Sequence, residues 1–127
     1  MNVLDTSALI DLFRGNDAAK SFIDDDAVTT TVTYHEIFQR IKHRKSKSED
    51  GFFRYFFSYL RVLDYNLCAA EASSDIMAEL MCIGTPVNVL DVLIAGIAVA
   101  NGANKLITRD RDFLKISEFT DIEIVVY

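Results

Sequence analysis

Short apolar segments alternate along the chain with longer segments in which apolar residues recur at helical spacing. The short segments are rich in Val, Ile, Leu and Thr and predict strands at 1–4, 27–32, 61–64, 105–108 and 122–126. The longer segments predict helices at 5–13, 17–23, 33–45, 52–60, 66–83 and 88–101, with a single helical turn at 112–116. Strands that alternate with helices favour parallel βαβ units, and therefore a layered α/β fold.

The breaks between these elements are short, and no internal repeat, low-complexity tract or linker is visible. One domain spanning residues 1–127 is the economical interpretation at this length. Half of the residues are hydrophobic and only 5 are Gly and 1 is Pro, which excludes a disordered or collagen-like chain.

The cysteine and hydropathy patterns predict a soluble, cytoplasmic protein. Cys68 and Cys82 lie in one predicted helix, about 21 Å apart along its axis, so they cannot form a disulfide with each other. The longest apolar run, 89–100, is shorter than the roughly twenty residues of a membrane span and contains Asp91. No secretory signal is visible before the first strand.

Four acidic residues follow predicted strands or begin predicted helices: Asp5, Glu36, Asp91 and Asp110. Each has a plain alternative as a helix cap, and Thr33 with Glu36 has the spacing of a capping box. Together they would converge, because the carboxyl ends of parallel strands meet at one edge of a sheet. Crowded like charges are destabilising unless a cation offsets them.

The need for a cation is clearest at Asp91, because it is the only ionisable residue between Val87 and Asn104. A carboxylate on an apolar helix needs a partner, and that segment has no Lys or Arg. A divalent cation would satisfy all four acids. Carboxylate oxygens favour Mg²⁺ or Mn²⁺, whereas His35 and His43 lack zinc-site spacing. Such a site would carry out metal-assisted phosphoryl chemistry.

Four segments in order, NVLDTSALIDLF, TYHEI, VNVLDVLIAGIAVANGA and LITRDRDF, resemble the PIN-domain family, most closely the small VapC-like toxin ribonucleases. The resemblance implies a three-layer α/β/α fold with a four- or five-stranded parallel sheet, one or two Mg²⁺ or Mn²⁺ ions, a homodimer and a small antitoxin partner. Carried onto this sequence, it implies catalytic and metal-binding roles for Asp5, Glu36, Asp91 and Asp110, with Asp112 as a candidate fifth ligand. It also implies that the hydroxyls of Thr6, Ser7 and Thr108 hold carboxylates or water, although ordinary turn chemistry would also explain them.

The formal net charge of −6, from 13 Lys and Arg against 19 Asp and Glu, argues against nucleic-acid binding by bulk charge. Five of the cations, however, lie within residues 40–47: Arg40, Lys42, Arg44, Lys45 and Lys47. These residues are candidate contacts to RNA phosphates, and the alternative is a solvated helix end. Residues 52–59 hold six of the fourteen aromatic side chains and predict a protein interface, with core packing as the alternative.

The acidic residues together with the family resemblance imply a metal-dependent endoribonuclease that acts as the toxin of a toxin–antitoxin pair. One alternative is a stand-alone PIN ribonuclease of RNA maturation. Another, of a different class, is a receiver-like signalling module, which also binds Mg²⁺ through acids. That module would need paired acids after the first strand, but Asp5 is followed by Thr6.

Overall fold

The computed structural model describes all 127 residues and contains one five-stranded sheet in which every strand pairing is parallel. The strands lie in the order β3-β2-β1-β4-β5. Their bounds are β1 Asn2–Leu4, β2 Ala27–Thr30, β3 Arg61–Leu63, β4 Lys105–Thr108 and β5 Glu123–Val126. The predicted α/β class and parallel sheet are therefore confirmed.

Seven α-helices connect and cover the strands. Their bounds are α1 Thr6–Phe13, α2 Asp17–Lys20, α3 Thr31–Arg44, α4 Lys47–Tyr59, α5 Leu67–Cys82, α6 Val89–Ala100 and α7 Leu114–Ser117, with a 3-10 turn at Arg111–Phe113 before α7. None of these helices is long and apolar enough to span a membrane. Cys68 and Cys82, both on α5, are free and exposed.

Two hydrophobic cores lie on opposite faces of the sheet, because successive strand residues point to opposite sides. Val3 and Leu106 belong to the core that α5 and α6 cover, whereas their neighbours Leu4 and Ile107 belong to the core under α1, α3 and α4. The architecture is thus the predicted three layers, with helices on both faces of the sheet.

Two helices begin earlier than their sequence pattern predicts. The first, α3, begins at Thr31, and the Thr30 hydroxyl caps it by accepting a hydrogen bond from the Thr33 backbone N–H. The alternative of a capping box between Thr33 and Glu36 is therefore wrong, and Glu36 lies in the second turn. The second, α4, begins at Lys47 rather than at 52, because Ser46 caps it.

Candidate active site at the carboxyl edge of the sheet

The strand order reverses next to β1, since β2 and β3 lie on one side of it and β4 and β5 on the other. Ligands of open parallel sheets bind at such a switch point, beyond the carboxyl ends of the strands. Asp5 directly follows β1, and Asp110 lies two residues beyond β4. Glu36 in α3 and Asp91 in the first turn of α6 complete this edge.

Asp5 is almost fully buried, with 3% of its surface exposed. Its Oδ1 accepts hydrogen bonds from the Ala8 backbone N–H at 2.9 Å and from the Ser7 hydroxyl at 2.8 Å, and its Oδ2 accepts one from the Thr108 hydroxyl at 2.5 Å. Burial raises the pKa of the carboxyl to about 6, although these hydrogen bonds oppose the increase. Asp5 therefore caps α1, and burial at the switch point disfavours its ionised form.

Strand register explains why Thr108 meets Asp5 across 103 residues of sequence. Leu4 pairs with Ile107, so the residues that follow them lie side by side at the carboxyl edge. The Thr108 hydroxyl also accepts a hydrogen bond from the Asp110 backbone N–H at 2.9 Å. One buried threonine thus links two of the predicted acids.

Glu36 is held by the first turn of α1. The Thr6 hydroxyl donates to Glu36 Oε1 at 2.7 Å and lies 3.4 Å from the Thr33 hydroxyl. Ser7 contacts the opposite side, where its hydroxyl oxygen accepts a hydrogen bond from the Arg109 backbone N–H at 3.0 Å. The three hydroxyl residues singled out from the sequence therefore all contact the acids or the backbone between them.

The ionised form of Asp91 is disfavoured by the other acids at this edge. Burial raises the pKa of its carboxyl to about 7, and the negative charges of the other four predicted acids raise it further, in the order Asp110, Asp5, Glu36 and Asp112. Each of the other four candidate acids is thus near enough to Asp91 to affect its pKa. Asp110 acts on Asp91 most strongly and Asp112 least, and Asp112 forms an exposed ion pair with Lys115 at 3.4 Å.

No Lys or Arg forms an ion pair with Asp5, Glu36, Asp91 or Asp110. No three His, Cys, Asp or Glu side chains lie close enough together to hold a metal ion between them. Mg²⁺ keeps several waters and is bound through one or two protein carboxylates plus substrate phosphates, so it does not need three protein ligands. The unpaired carboxylates at this edge fit Mg²⁺ or Mn²⁺ by their chemistry.

A second buried carboxylate, Asp11 on α1, is not among the predicted site residues. It is 2% exposed, and it accepts hydrogen bonds from Arg109 Nη1 at 2.7 Å and from the Tyr127 hydroxyl at 2.9 Å. Burial and this hydrogen bond raise the pKa of Tyr127. The signal was present in the sequence, since Asp11 is the only charge in the helix TSALIDLF, the same feature that singled out Asp91.

The basic segment divides between two places on the surface. Arg40 pairs with Glu49 at 2.8 Å and is mostly buried. Arg44 lines a groove that also contains Glu36. The remaining cations line a separate depression beside Asp50: Lys42, Lys45 and Lys47.

The aromatic helix α4 is partly core and partly surface. Phe53 of α4 is buried, whereas Tyr55 and Tyr59 are 68% and 74% exposed. The two tyrosine rings pack against each other with their centroids 4.9 Å apart. Core packing therefore accounts for the buried face of this segment, and the interface interpretation stays a prediction for the exposed face. The exposed tyrosines are the part of α4 that is available to a partner.

These features define a small parallel α/β domain with a carboxylate cluster at its topological switch point. A sequence model of the PIN domain matches residues 3–118, so the chain belongs to the PIN-domain family. The resemblance of the four segments is thereby confirmed, and family membership argues against a receiver-like module. No curated protein is significantly similar to the chain in sequence.

Solved structures with a similar fold include VapBC complexes and a VapC toxin. DNA-bound VapBC from Salmonella typhimurium is 28% identical, with a TM-score of 0.83 over 98% of this chain and 96% of that one. VapBC2 from Rickettsia felis, bound to a DNA fragment from its promoter, is 17% identical, with a TM-score of 0.84 over 99% and 98%. Mycobacterium tuberculosis VapC20, described as a toxin that cleaves the sarcin–ricin loop, is 16% identical, with a TM-score of 0.68 over 90% and 93%.

Proposed function

We propose that this protein is an endoribonuclease that depends on Mg²⁺ or Mn²⁺ and acts as the toxin of a toxin–antitoxin pair. The observation that carries the proposal is that four other acids act on the Asp91 carboxyl by their negative charge, while no Lys or Arg forms an ion pair with it or with Asp5, Glu36 or Asp110. This repulsion disfavours the folded chain, whereas metal-assisted hydrolysis of a phosphodiester needs carboxylate ligands, and a bound cation would offset their repulsion. RNA as the substrate is supported by the activity described for VapC20.

Asp5, Glu36, Asp91 and Asp110 would hold one or two ions, and Asp112 would contribute from the exposed side. A bound divalent ion supplies positive charge for the scissile phosphate and lowers the pKa of water at the site. The surrounding hydroxyls act by orientation. Thr108 and Ser7 hold the two oxygens of Asp5, and Thr6 holds Glu36, so these carboxylates present fixed lone pairs to whatever binds at the edge.

The proposed partners are RNA, a cognate antitoxin and a second copy of the chain. Support for the antitoxin is that the similar solved structures are VapBC complexes, including the 28% identical one from Salmonella typhimurium. The exposed face of α4 carries Tyr55 and Tyr59, and tyrosine is enriched at protein interfaces. Sedimentation of the purified chain, alone and with the product of an adjacent short reading frame, tests the dimer and the antitoxin.

Cleavage of RNA by the purified protein tests the activity. We expect cleavage with Mg²⁺ or Mn²⁺, none with EDTA, and a loss of at least about 100-fold in the Asp91→Asn variant, because a group that fixes a catalytic ion is removed. Glu71→Gln is the matched control, since it neutralises one exposed acid on α5 that forms no ion pair. Equal rates for Asp91→Asn and the wild type, or activity that survives EDTA, would contradict the assignment.

Growth of cells that express the chain tests the biological role. We expect arrest with the wild type, relief by Asp91→Asn, and relief by co-expression of the neighbouring antitoxin reading frame. Cleavage in vitro without growth arrest would instead favour a stand-alone ribonuclease of RNA maturation.

A further inference from the structure

A buried carboxylate that the proposed reaction does not use lies on α1, the helix that Asp5 caps. Asp11 is in the last turn of this helix, and only 2% of its surface is exposed. Its Oδ1 accepts a hydrogen bond from Arg109 Nη1 at 2.7 Å, and its Oδ2 accepts one from the Tyr127 hydroxyl at 2.9 Å. Both oxygens are thus bound by side chains that lie 98 and 116 residues further along the chain.

Stability is a weak reason for burying this charge. A buried ion pair is often no more stabilising than apolar residues of similar volume, because taking both charges out of water costs about as much as their attraction returns. A negative charge in the last turn of a helix is also unfavourable with respect to the helix dipole. Asp11 carries both costs in the helix TSALIDLF, where no other residue is charged. The pair of Asp11 with Arg109 therefore calls for a role other than stability.

Arg109 is fixed to α1 at two points. Its backbone N–H donates to the Ser7 hydroxyl oxygen at 3.0 Å, and its guanidinium donates to Asp11. Ser7 in turn donates to Asp5 Oδ1 at 2.8 Å. Because Ser7 and Asp11 are four residues apart, they lie on one face of α1. That face of the helix therefore holds Arg109 by both its backbone and its side chain.

Arg109 is the middle residue of the turn that follows β4 at the acidic edge. Thr108, on one side of it, donates to Asp5 Oδ2 at 2.5 Å. Asp110, on the other side, lies beyond the last residue pair of β4 with β5, so the sheet ladder does not hold it. The contacts of Arg109 with α1 therefore join this turn to the helix that Asp5 caps.

We propose that Asp11 is a positioning residue, which holds the turn after β4 against α1 through Arg109 and so keeps Asp110 and Asp5 in place for a divalent ion. This inference rests on the proposed function, because it assigns Asp11 to the same metal-dependent site. The Tyr127 hydroxyl binds the second oxygen of Asp11 and leaves the first for Arg109. Mg²⁺ demands near-ideal ligand geometry, so a displaced ligand weakens its binding.

The positive charge of Arg109 allows positioning to be separated from simple electrostatics. Arg109 is directly followed by Asp110, and removing a cation beside a metal site favours binding of a divalent ion by charge alone. Losing a positioning contact has the opposite effect, because the ligands are then less well placed. The two explanations therefore predict opposite signs for Arg109→Gln.

Binding of Mn²⁺ to the purified full chain, without RNA, tests the proposal. The electron paramagnetic resonance signal of free Mn²⁺ gives the dissociation constant, so the measurement does not depend on cleavage. The variants are Asp11→Asn, which keeps the shape of the side chain, Arg109→Gln, and the two combined. Arg111→Gln is the matched control, since Arg111 directly follows Asp110, is exposed and forms no ion pair. Urea unfolding of each variant checks that it is folded.

We expect Asp11→Asn and Arg109→Gln each to weaken Mn²⁺ binding about three- to tenfold, somewhat less than the loss of a residue that contacts a ligand directly. The combined variant should bind as weakly as either single variant, because two residues that act as one unit do not have independent effects. Arg109→Lys, which keeps a cation for Asp11, should bind more tightly than Arg109→Gln. Arg111→Gln should bind as tightly as the wild type or slightly more tightly.

Two results would overturn the proposal: Mn²⁺ binding by folded Arg109→Gln that equals or exceeds the wild type, or effects of the two substitutions that multiply in the combined variant. Arg109→Gln decides the matter even if Asp11→Asn does not fold, since the Arg109 side chain is 51% exposed. The proposed function fails separately, if the wild type binds no Mn²⁺ or cleaves no RNA.

Discussion

Replacing Asp91 by Asn should stabilise the metal-free protein while it abolishes activity. The ionised Asp91 carboxylate is disfavoured by burial and by four neighbouring negative charges, and Asn removes its charge with almost no change in shape. Active sites commonly sacrifice stability in this way. The gain should grow as the pH rises above the ordinary pKa of an aspartate, where the unfolded chain releases the proton that the folded chain still holds.

The direction follows from a pKa that is about 7 in the folded chain and 3.8 ordinarily. Below the ordinary value, both states hold the proton and the carboxyl costs nothing. As the pH rises through the folded pKa, the stability associated with the bound proton is lost. The full difference would be ~4 kcal/mol at ~1.4 kcal/mol per pKa unit. Since Asp91 is partly exposed, solvent screening reduces this to ~1–2 kcal/mol.

Urea unfolding in EDTA measures the free energy of unfolding. At about pH 8 we expect Asp91→Asn to be ~1–2 kcal/mol more stable than the wild type, and at about pH 5 the difference should be clearly smaller. Glu71→Gln, which removes an exposed charge, should equal the wild type at both pH values. An Asn variant that is no more stable at pH 8, or a difference that does not change with pH, would refute the reasoning.

Three further predictions concern packing, orientation and metal binding. A Cβ on Gly96 would lie 2.6 Å from the Ser73 Cβ on α5, so Gly96→Ala should lower the free energy of unfolding in urea by ~2–3 kcal/mol. Gly51→Ala on α4 has open space around it and should raise that free energy by ~0.5–1 kcal/mol, and equal effects of the two variants would contradict this account of the α5–α6 contact. Thr108→Val should lower RNA cleavage by at least about tenfold and raise the Mg²⁺ concentration required, because Asp5 loses a hydroxyl donor; wild-type cleavage at every Mg²⁺ concentration would count against it. Mg²⁺ should raise the thermal midpoint of the wild type more at about pH 8 than at about pH 5, since ions must compete with protons for these carboxylates, and the reverse order would count against a carboxylate site.

The starts of α3 and α4 were predicted too late for the same physical reason. In the TTTVT segment local preference does not distinguish strand from helix, and β2 ends at Thr30 because its pairing with β3 ends there, opposite Leu63. Residues 47–51 are polar and contain Gly, which is typical of a loop. They are helical in the structure because Ser46 caps α4 and because Glu49 is buried against Arg40 on α3. Contacts from another element decided both cases.

Hydrophobic periodicity alone determined the class of this fold and the positions of its strands along the chain, and those positions in turn singled out the acids that follow the strands. This was possible because apolar spacing reports directly which face of each element is buried. Charged residues on apolar helices are rare for the same reason, so Asp91 was visible without coordinates, and Asp11 was equally visible.

Tertiary structure alone decided how these residues act on one another. The β1–β4 register sets Thr108 against Asp5, and the packing around Asp11 brings Arg109 and Tyr127 to its carboxylate. Leu90 of α6 lies beside Arg44 in one groove, whereas the neighbouring lysines line another depression. Parallel strands need long crossover connections, so residues that meet at their carboxyl ends are far apart in sequence. The burial and mutual repulsion that shift a pKa therefore exist only once the sheet has formed.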